Sequence, residues 1–121
     1  TSFDWLSRDT DVVDKYIQDP YCGGIFTTSF YYDFFKGLNK LYDSDKIHRI
    51  PKALPVFIIS GSMDPVGEMG KGVTRLAQFY RQHGLTDVTL KLYDKARHEL
   101  LNEINKEQVM DDILQWLNMK N

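Results

Sequence analysis

Two short apolar segments joined by a helix-length stretch constrain the fold of this chain more than any other feature. Residues 55–60 read PVFIIS, and residues 88–93 read VTLKLY. Between them, residues 72–83 carry apolar side chains at helical spacing, and Gly84 stands where such a helix would end. This order predicts a parallel pair of strands, because one helical crossover returns the chain to the same end of the sheet. The continuously apolar first segment predicts a strand covered on both faces, and the alternating second segment predicts a strand near a sheet edge.

One acid and one histidine follow the two predicted strands. Asp64 lies in the loop after the first strand, and His98 lies in the loop after the second. Loops that follow parallel strands leave the same edge of a sheet, so we expect these two side chains to be neighbours. A turn position before Pro65 would by itself explain Asp64. In combination with His98 it is two-thirds of a hydrolytic triad, and both residues are therefore candidate catalytic residues.

Apolar spacing predicts helices on both sides of this unit. The first, ahead of Pro20, is indicated by Val12, Val13, Tyr16 and Ile17. The last covers residues 105–119, with an apolar stripe of Met110, Ile113, Leu114 and Leu117. Asn105 and Gln108 have the spacing of a capping box at its start.

These patterns together predict an α/β fold in which two parallel strands are flanked by helices. We divide the chain into a helical segment, residues 1–54, and a strand-helix-strand-helix unit, residues 55–121, which carries Asp64 and His98. In a two-stranded sheet, the strand at 55–60 keeps one edge without a partner in the chain. We therefore expect self-association through that exposed edge.

The predicted helix at residues 27–42 is rich in aromatic side chains. Its apolar residues are Phe30, Phe34, Leu38 and Leu41, flanked by Tyr31, Phe35 and Tyr42. Such density predicts a helix covered on more than one side, and core packing is the favoured interpretation. The alternative is that some of these rings line a pocket for an acyl chain.

Composition argues against several classes of partner. The formal net charge is −2, so we expect no nucleic-acid partner and no attraction to an anionic membrane. No run of about 18 apolar residues occurs, so no integral membrane association is expected. Cys22 is the single cysteine, which excludes an internal disulfide and fits a cytoplasmic location. The chain starts at Thr1 without a signal-peptide pattern, and the missing initiator Met suggests a piece of a longer or processed protein.

The remaining residues with reactive or metal-binding side chains are assigned structural roles. His48 lies among charged neighbours and is interpreted as a solvated surface residue, and His83 lies where a charged imidazole favours a helix C-terminus. With His98 they show no ligand spacing, so no metal site is expected. A cysteine hydrolase that pairs Cys22 with His98 is a weaker alternative, because no base is evident beside Cys22.

Three glycines follow the acid loop, at Gly67, Gly70 and Gly72. Their spacing matches neither the P-loop nor the dinucleotide fingerprint, so a phosphate-binding loop is disfavoured. We interpret them as a mobile loop that lets the backbone turn into the next helix.

Four segments resemble the C-terminal part of α/β-hydrolases. They are SGSMDPVG at 60–67, VTLKLYDKARHELLNE at 88–103, DDILQWL at 111–117 and, similar to the segment after the lid, WLSRDTDVVDKYIQDPYCGG at 5–24. The nearest branch is the lysophospholipase and monoacylglycerol-lipase-like hydrolases, grouped with the serine aminopeptidases. This resemblance implies that Asp64 is the triad acid and His98 the general base, and that residues 1–54 follow the lid. It implies a lipid or other ester substrate and no cofactor, with lysophospholipid, monoacylglycerol, simple ester and short peptide all left open.

The chain departs from this family in one respect. No G-x-S-x-G elbow occurs around any of its serines, and Ser62 immediately precedes the acid loop. We therefore expect a C-terminal portion whose nucleophile lies outside this chain and which is inactive alone. The alternative is a non-catalytic, hydrolase-like module that binds a partner or ligand.

Overall fold

The computed structural model of the protein describes residues 1–41 and 43–120. Along the described chain the elements are α1 (Thr10–Gln18), α2 (Thr28–Asn39), α3 (Ser44–His48), β1 (Val56–Gly61), α4 (Lys71–Gln82), β2 (Val88–Tyr93), a 3-10 turn (Leu100–Asn102) and α5 (Lys106–Lys120). Each predicted helix and strand is confirmed, within a few residues at its ends. Tyr42, predicted to end the aromatic helix, lies outside the described residues.

Strands β1 and β2 pair in parallel, as predicted, with Val56 opposite Val88 and Gly61 opposite Tyr93. Successive side chains of a strand point to opposite faces, and β1 follows this rule. Ile58 packs with Ala77 of α4 on one face, and Ile59 packs with the cluster around Val109 of α5 on the other. The crossover helix and the last helix therefore sandwich the sheet, and β1 contacts the core on both faces.

The helix boundaries follow from capping chemistry. The side chains of Asp9, Thr27 and Asp43 accept hydrogen bonds from backbone N–H groups in the first turns of α1, α2 and α3. Gly84, two residues after the end of α4, has a φ of +90°. A residue with a β-carbon is strained there, so the sequence places glycine where α4 must turn back toward β2.

Helix α2 differs from its prediction. None of its residues is buried, so the expected core packing is wrong for the described chain. Its rings instead pack on one another and on Phe26, just before the helix, with Phe30 stacked 4.5 Å from Phe26 and 6.0 Å from Phe34 between ring centroids. Apolar spacing correctly predicts the helix, but it carries no information about which surface covers it.

Helix α5 packs through one residue of its predicted stripe, Ile113, and otherwise through residues beside that stripe. Its buried residue is Val109, Ile113 packs on the same cluster, and the Trp116 ring stacks on Phe57 of β1 at 5.3 Å. The predicted stripe residues Met110, Leu114 and Leu117 are exposed. The error arose because the helix carries more apolar residues than its buried face can hold.

The predicted capping box at the start of α5 is also replaced. The Asn105 side chain donates to the Gln108 side chain at 3.1 Å and accepts from Arg8 Nη2 at 2.5 Å. Asn105 therefore links α5 to the N-terminal segment instead of capping its own helix. Within residues 1–41 and 43–120, no helix has both the length and the apolar character needed to cross a bilayer.

Candidate active site

The loops after β1 and β2 are joined by backbone hydrogen bonds. Ser62 N–H donates to the Tyr93 carbonyl and Met63 N–H to the Ala96 carbonyl, both at 2.9 Å. Gly61, at the end of β1, lies so close to the second loop that a β-carbon would overlap the Ala96 and Arg97 carbonyl oxygens. The sequence therefore needs glycine here because two backbones touch, and this contact brings Asp64 and His98 together.

The Asp64 carboxylate is held by its own loop. Its Oδ1 accepts a hydrogen bond from Val66 N–H at 2.9 Å, and its backbone carbonyl accepts one from Met69 N–H at 2.8 Å. A β-carbon on Gly67 would lie 3.3 Å from Oδ2. Asp64 is therefore a turn residue, as its position before proline predicts, and its carboxylate has a defined orientation.

That carboxylate faces the imidazole of His98. Nδ1 of His98 lies 3.2 Å from each carboxylate oxygen of Asp64. The predicted neighbourhood of these two residues is therefore present in the structure. An acceptor at Nδ1 favours the neutral tautomer whose proton lies on Nδ1, which leaves a lone pair on Nε2. The Asp64 side chain is 9% exposed and the His98 side chain 38%, so the imidazole lies on the solvent side of the pair.

A segment far away in sequence supports the histidine loop. His98 N–H donates to the Trp5 carbonyl at 3.3 Å, and Glu99 N–H donates to the Leu6 carbonyl at 2.8 Å. The Trp5 and His98 rings lie 5.1 Å apart between centroids, tilted by 50°. The imidazole is therefore held by the acid loop at Nδ1, by its backbone N–H, and by an indole against the ring.

A buried carboxylate fixes this N-terminal segment, and sequence reasoning missed it. Glu103 is 0% exposed. Its oxygens accept from Arg8 Nε at 2.8 Å, Arg97 N–H at 2.7 Å and Ile104 N–H at 3.2 Å. Because a buried carboxylate is tolerated only when paired and hydrogen-bonded, Glu103 serves as the anchor between both ends of the chain. No pattern signal identified it, since a single Glu near a helix start is ordinarily exposed.

Two further contacts reinforce this anchor. Ser7 is buried, and its hydroxyl donates to the Asn102 carbonyl at 2.8 Å. Arg97, immediately before the histidine, donates from Nη1 to the Ser7 carbonyl at 2.9 Å and to the Asp4 carbonyl. The residue next to His98 is thus held by the same N-terminal segment through its side chain and by Glu103 through its backbone.

A second polar cluster lies at the end of β2. Tyr93 donates its hydroxyl to Asp112 of α5 at 2.9 Å, and Lys91 pairs with the same carboxylate at 2.5 Å. Burial and the Asp112 acceptor raise the pKa of the Tyr93 phenol, and the hydrogen bond from Lys91 lowers the pKa of Asp112. The cluster joins α5 to the sheet and does not contact His98.

The other histidines and the cysteine do not join the pair formed by Asp64 and His98. His48 is exposed, and its ring lies 5.8 Å from that of His83, which bonds through Nδ1 to the Phe79 carbonyl at 2.9 Å. Burial and the nearby Asp19 charge raise the pKa of the Cys22 thiol, which disfavours the thiolate that a cysteine nucleophile requires. In the part of the chain that the structure describes, no group of three or more metal-ligating side chains occurs.

The glycine-rich loop turns the backbone into the next helix, as predicted. Gly70 is the N-cap of α4 with a φ of +83°, and the two residues before it, Glu68 and Met69, also have positive φ. Three consecutive residues with positive φ therefore turn the chain from the acid loop into α4. Non-glycine residues in such a conformation store strain beside the Asp64 loop.

Comparisons with known proteins agree on one family. The family model described as "Serine aminopeptidase, S33" matches residues 1–105. A highly thermostable carboxyl esterase from Bacillus coagulans, solved in complex with glycerol, is 31% identical with a TM-score of 0.80 over 98% of this chain and 39% of its own. A lipase in an open form is 26% identical, with a TM-score of 0.78 over 95% of this chain and 37% of its own.

A third structure supports the fold alone. The monoacylglycerol lipase of Paleococcus ferrophilus is 22% identical, with a TM-score of 0.69 over 93% of this chain and 41% of that chain. The chain thus spans about two-fifths of the length of the solved structures that it matches. Its two parallel strands and flanking helices correspond to part of an α/β-hydrolase fold.

Proposed function

The chain belongs to the serine aminopeptidase family of α/β-hydrolases, and from that premise we propose that it supplies the acid and the base of a serine hydrolase acting on carboxylic esters. One observation carries the proposal. Both oxygens of the Asp64 carboxylate lie 3.2 Å from Nδ1 of His98, at the ends of two adjacent parallel strands. This is the arrangement that prepares Nε2 of an imidazole to accept a proton.

The proposed mechanism divides the work between two residues. His98 accepts the proton of a serine hydroxyl at Nε2 as that oxygen attacks the ester carbonyl, and then returns it to the leaving alkoxide. Asp64 keeps the Nδ1 proton in place and stabilises the imidazolium formed between these steps. The hydrogen bond from Val66 N–H to Asp64 Oδ1 keeps the carboxylate turned toward the His98 imidazole.

The nucleophile and the oxyanion donors belong, in this proposal, to a portion outside the 121 residues. The sequence contains no G-x-S-x-G elbow, and the related structures are more than twice as long as the part matched here. An acid and a base without a nucleophile and an oxyanion hole leave most of the catalysis unbuilt. We therefore expect the 121-residue chain to show no esterase activity by itself.

Carboxylic esters are the substrate class that the relatives support best. The structures at 31% and 26% identity are a carboxyl esterase and a lipase. The exposed rings of α2 offer an apolar surface of the kind that contacts an acyl chain. Lipid esters, including lysophospholipids and monoacylglycerols, and simpler carboxylic esters all fall within this class.

Fluorophosphonate labelling of the full-length protein tests the proposal. A fluorophosphonate reacts with a serine only when the base activates it, so His98→Gln should lower the labelling rate by about 10⁶-fold. Asp64→Asn should lower it by about 10⁴-fold if the tautomer is lost, as in other triads. His48→Gln is the matched control, since His48 is exposed and its ring lies beside His83 instead of His98.

Two results would contradict the proposal. Labelling at parental rate in His98→Gln would remove the base assignment. No labelling of the parent at all would favour the alternative function, a hydrolase-like module that binds a partner or ligand without catalysis. In that case Asp64 and His98 would act only as structural residues that join two loops.

We also propose that the isolated chain self-associates along the outer edge of β1. Among the described residues β1 pairs with β2 alone, and its sequence VFIISG contains neither charge nor proline to block further pairing. Sedimentation velocity over a wide range of protein concentration should show a concentration-dependent rise in mass. A constant monomer mass at the highest concentration would contradict this expectation.

A further inference from the structure

One face of the His98 imidazole has a neighbour that the acid–base pair does not explain. The Trp5 ring lies 5.1 Å from the imidazole between centroids, at an angle of 50°. Trp5 comes from the segment before α1, more than ninety residues earlier in the chain. Its side chain is only half-buried, whereas Leu6 and Ser7 beside it are buried. The adjacent residues therefore dock the segment, and the indole remains at the surface against the imidazole.

The Asp64 contact alone leaves one motion of the imidazole unopposed. Nδ1 lies at equal distances, 3.2 Å, from both carboxylate oxygens. Contacts to a single ring nitrogen define an axis about which the ring plane can still tilt. A tilt of this kind would move Nε2, the atom that must meet the serine hydroxyl, while leaving the carboxylate contact intact.

The backbone around Trp5 is fixed independently of its side chain. The Trp5 carbonyl accepts from His98 N–H, and the Leu6 carbonyl accepts from Glu99 N–H at 2.8 Å. The buried Glu103 holds Arg8 of the same segment at 2.8 Å. The indole is thus presented from a rigid support, which a contact must have if it is to restrain another ring.

We propose that Trp5 is a positioning residue for the proton-transfer step, holding the plane of the His98 imidazole so that Nε2 keeps a fixed direction. This inference rests on the proposed function of His98. The indole face also attracts a cationic ring, so the contact strengthens when the imidazole is protonated during the reaction. Misplacement of a reacting atom by about 1 Å can cost about 100-fold in rate, so a loose ring should have a measurable effect.

Tryptophan fluorescence of the 121-residue chain tests the contact without requiring activity. A protonated imidazole in contact with indole quenches its emission. The Trp116→Phe background leaves Trp5 as the single tryptophan and keeps a ring to stack on Phe57. In this background and at one fixed, mildly acidic pH, His98→Gln should raise the emission of Trp5, because the variant removes the quenching ring. His83→Gln should leave the emission unchanged.

Labelling of the full-length protein tests the effect on reactivity. Trp5→Leu removes the aromatic face and should slow fluorophosphonate labelling by about 10-fold to 100-fold. Trp5→Phe restores an aromatic face and should recover most of the rate. With an ester substrate, Trp5→Leu should lower kcat and leave KM nearly unchanged, because ring orientation affects proton transfer and not substrate affinity. Phe3→Leu is the matched control, since Phe3 lies in the same segment and packs on Tyr16 instead of His98.

The outcomes separate this inference from the function on which it rests. Trp5 emission that is the same in the parent and in folded His98→Gln would overturn the ring contact. Labelling that depends on His98 but proceeds at parental rate in folded Trp5→Leu would overturn positioning while the proposed function stands. Labelling that does not depend on His98 would overturn both, with the fluorescence result still reporting whether the two rings touch.

Discussion

Residues 5–8 and helix α2 both lie in the N-terminal part of the chain, yet they differ in how they contact the rest of the molecule. The short segment carries two buried residues, Leu6 and Ser7, and its Arg8 is bound to Glu103. The helix carries a row of aromatic rings and has no buried residue. The short, irregular segment is therefore the docked one, and the apolar, regular helix is the exposed one.

This difference shows that an apolar sequence favours burial of a helix but does not supply the surface that would cover it. Ser7 and Glu103 are buried because each finds hydrogen-bond partners at a fixed place, across about ninety residues of chain. Among the described residues, the rings of α2 pack on one another and on nearby Phe26, as in the 5.5 Å contact between Phe34 and Phe35. Specific polar partners decide which part of the N-terminal half supports the candidate site.

The largest effect should come from the anchor of the docked segment. Glu103→Ala removes a buried acceptor and leaves the Arg8 guanidinium and the Arg97 N–H without it. Breaking one side of a buried charge pair costs about 3–5 kcal/mol. Urea unfolding should show this loss, and Glu107→Ala, an exposed residue in the first turn of α5, should change stability by about 0.5 kcal/mol or less. Equal, small losses in both variants would contradict the role of Glu103.

Alanine substitutions at two glycines should give the next largest difference in stability. Gly61→Ala forces a β-carbon into the Ala96 and Arg97 carbonyls, a backbone contact that no rotamer change relieves. Overpacking of this kind costs about 1–3 kcal/mol or more. Gly37 lies within α2, where an added β-carbon meets nothing within 4 Å. Gly37→Ala should stabilise the chain by about 0.5–1 kcal/mol in urea unfolding, because alanine has a higher helix propensity than glycine.

Truncation of one buried and one exposed apolar side chain should lower stability to different extents. Val13, on α1, is 4% exposed, and Phe34, on α2, is 49% exposed. Val13→Ala removes two buried methyl groups and should cost about 2 kcal/mol. Phe34→Ala removes a larger side chain but should cost no more than about 0.5 kcal/mol. A larger loss of stability for Phe34→Ala than for Val13→Ala, in thermal or urea unfolding, would contradict the difference between the two regions.

The smallest effect concerns pH. The hydrogen bond from Lys91 lowers the pKa of Asp112 below its usual value of 3.8. A lowered carboxyl pKa contributes stability that is present above that value and is lost as the pH falls through the folded pKa. Asp112→Asn should therefore flatten the fall in stability at acid pH. Asp33→Asn, on the exposed helix α2, should leave that fall unchanged.

Much of the fold and the pair at the site could be predicted from the sequence. Parallel strands with one helical crossover bring two loops to one edge, so local patterns were enough to predict that Asp64 and His98 are neighbours. The geometry of that neighbourhood depends on Gly61, whose role becomes visible only when the Ala96 and Arg97 carbonyls are seen beside it.

Three features could not be predicted, for related reasons. The buried Glu103, the Trp5 contact and the face of α5 that meets the sheet all depend on which distant partner a residue meets. Spacing along a helix or strand reports local geometry, and it contains no record of a contact formed across ninety residues. The exposure of α2 could not be predicted for the same reason, because an aromatic stripe has the same sequence pattern whether or not a partner covers it.

The anchoring of residues 5–8 also bears on the order in which the chain folds. The unit from β1 to β2 is local, since one crossover of about thirty residues closes it. The contacts from Ser7 and Arg8 to residues 102–105 join positions ninety-five to ninety-seven apart, and closing a loop about three times as long costs about 1 kcal/mol more before any contact forms. The Asp64 loop can therefore assemble early, whereas the His98 loop gains its final support late. Unfolding that begins at the N-terminus would loosen the histidine while leaving the sheet intact.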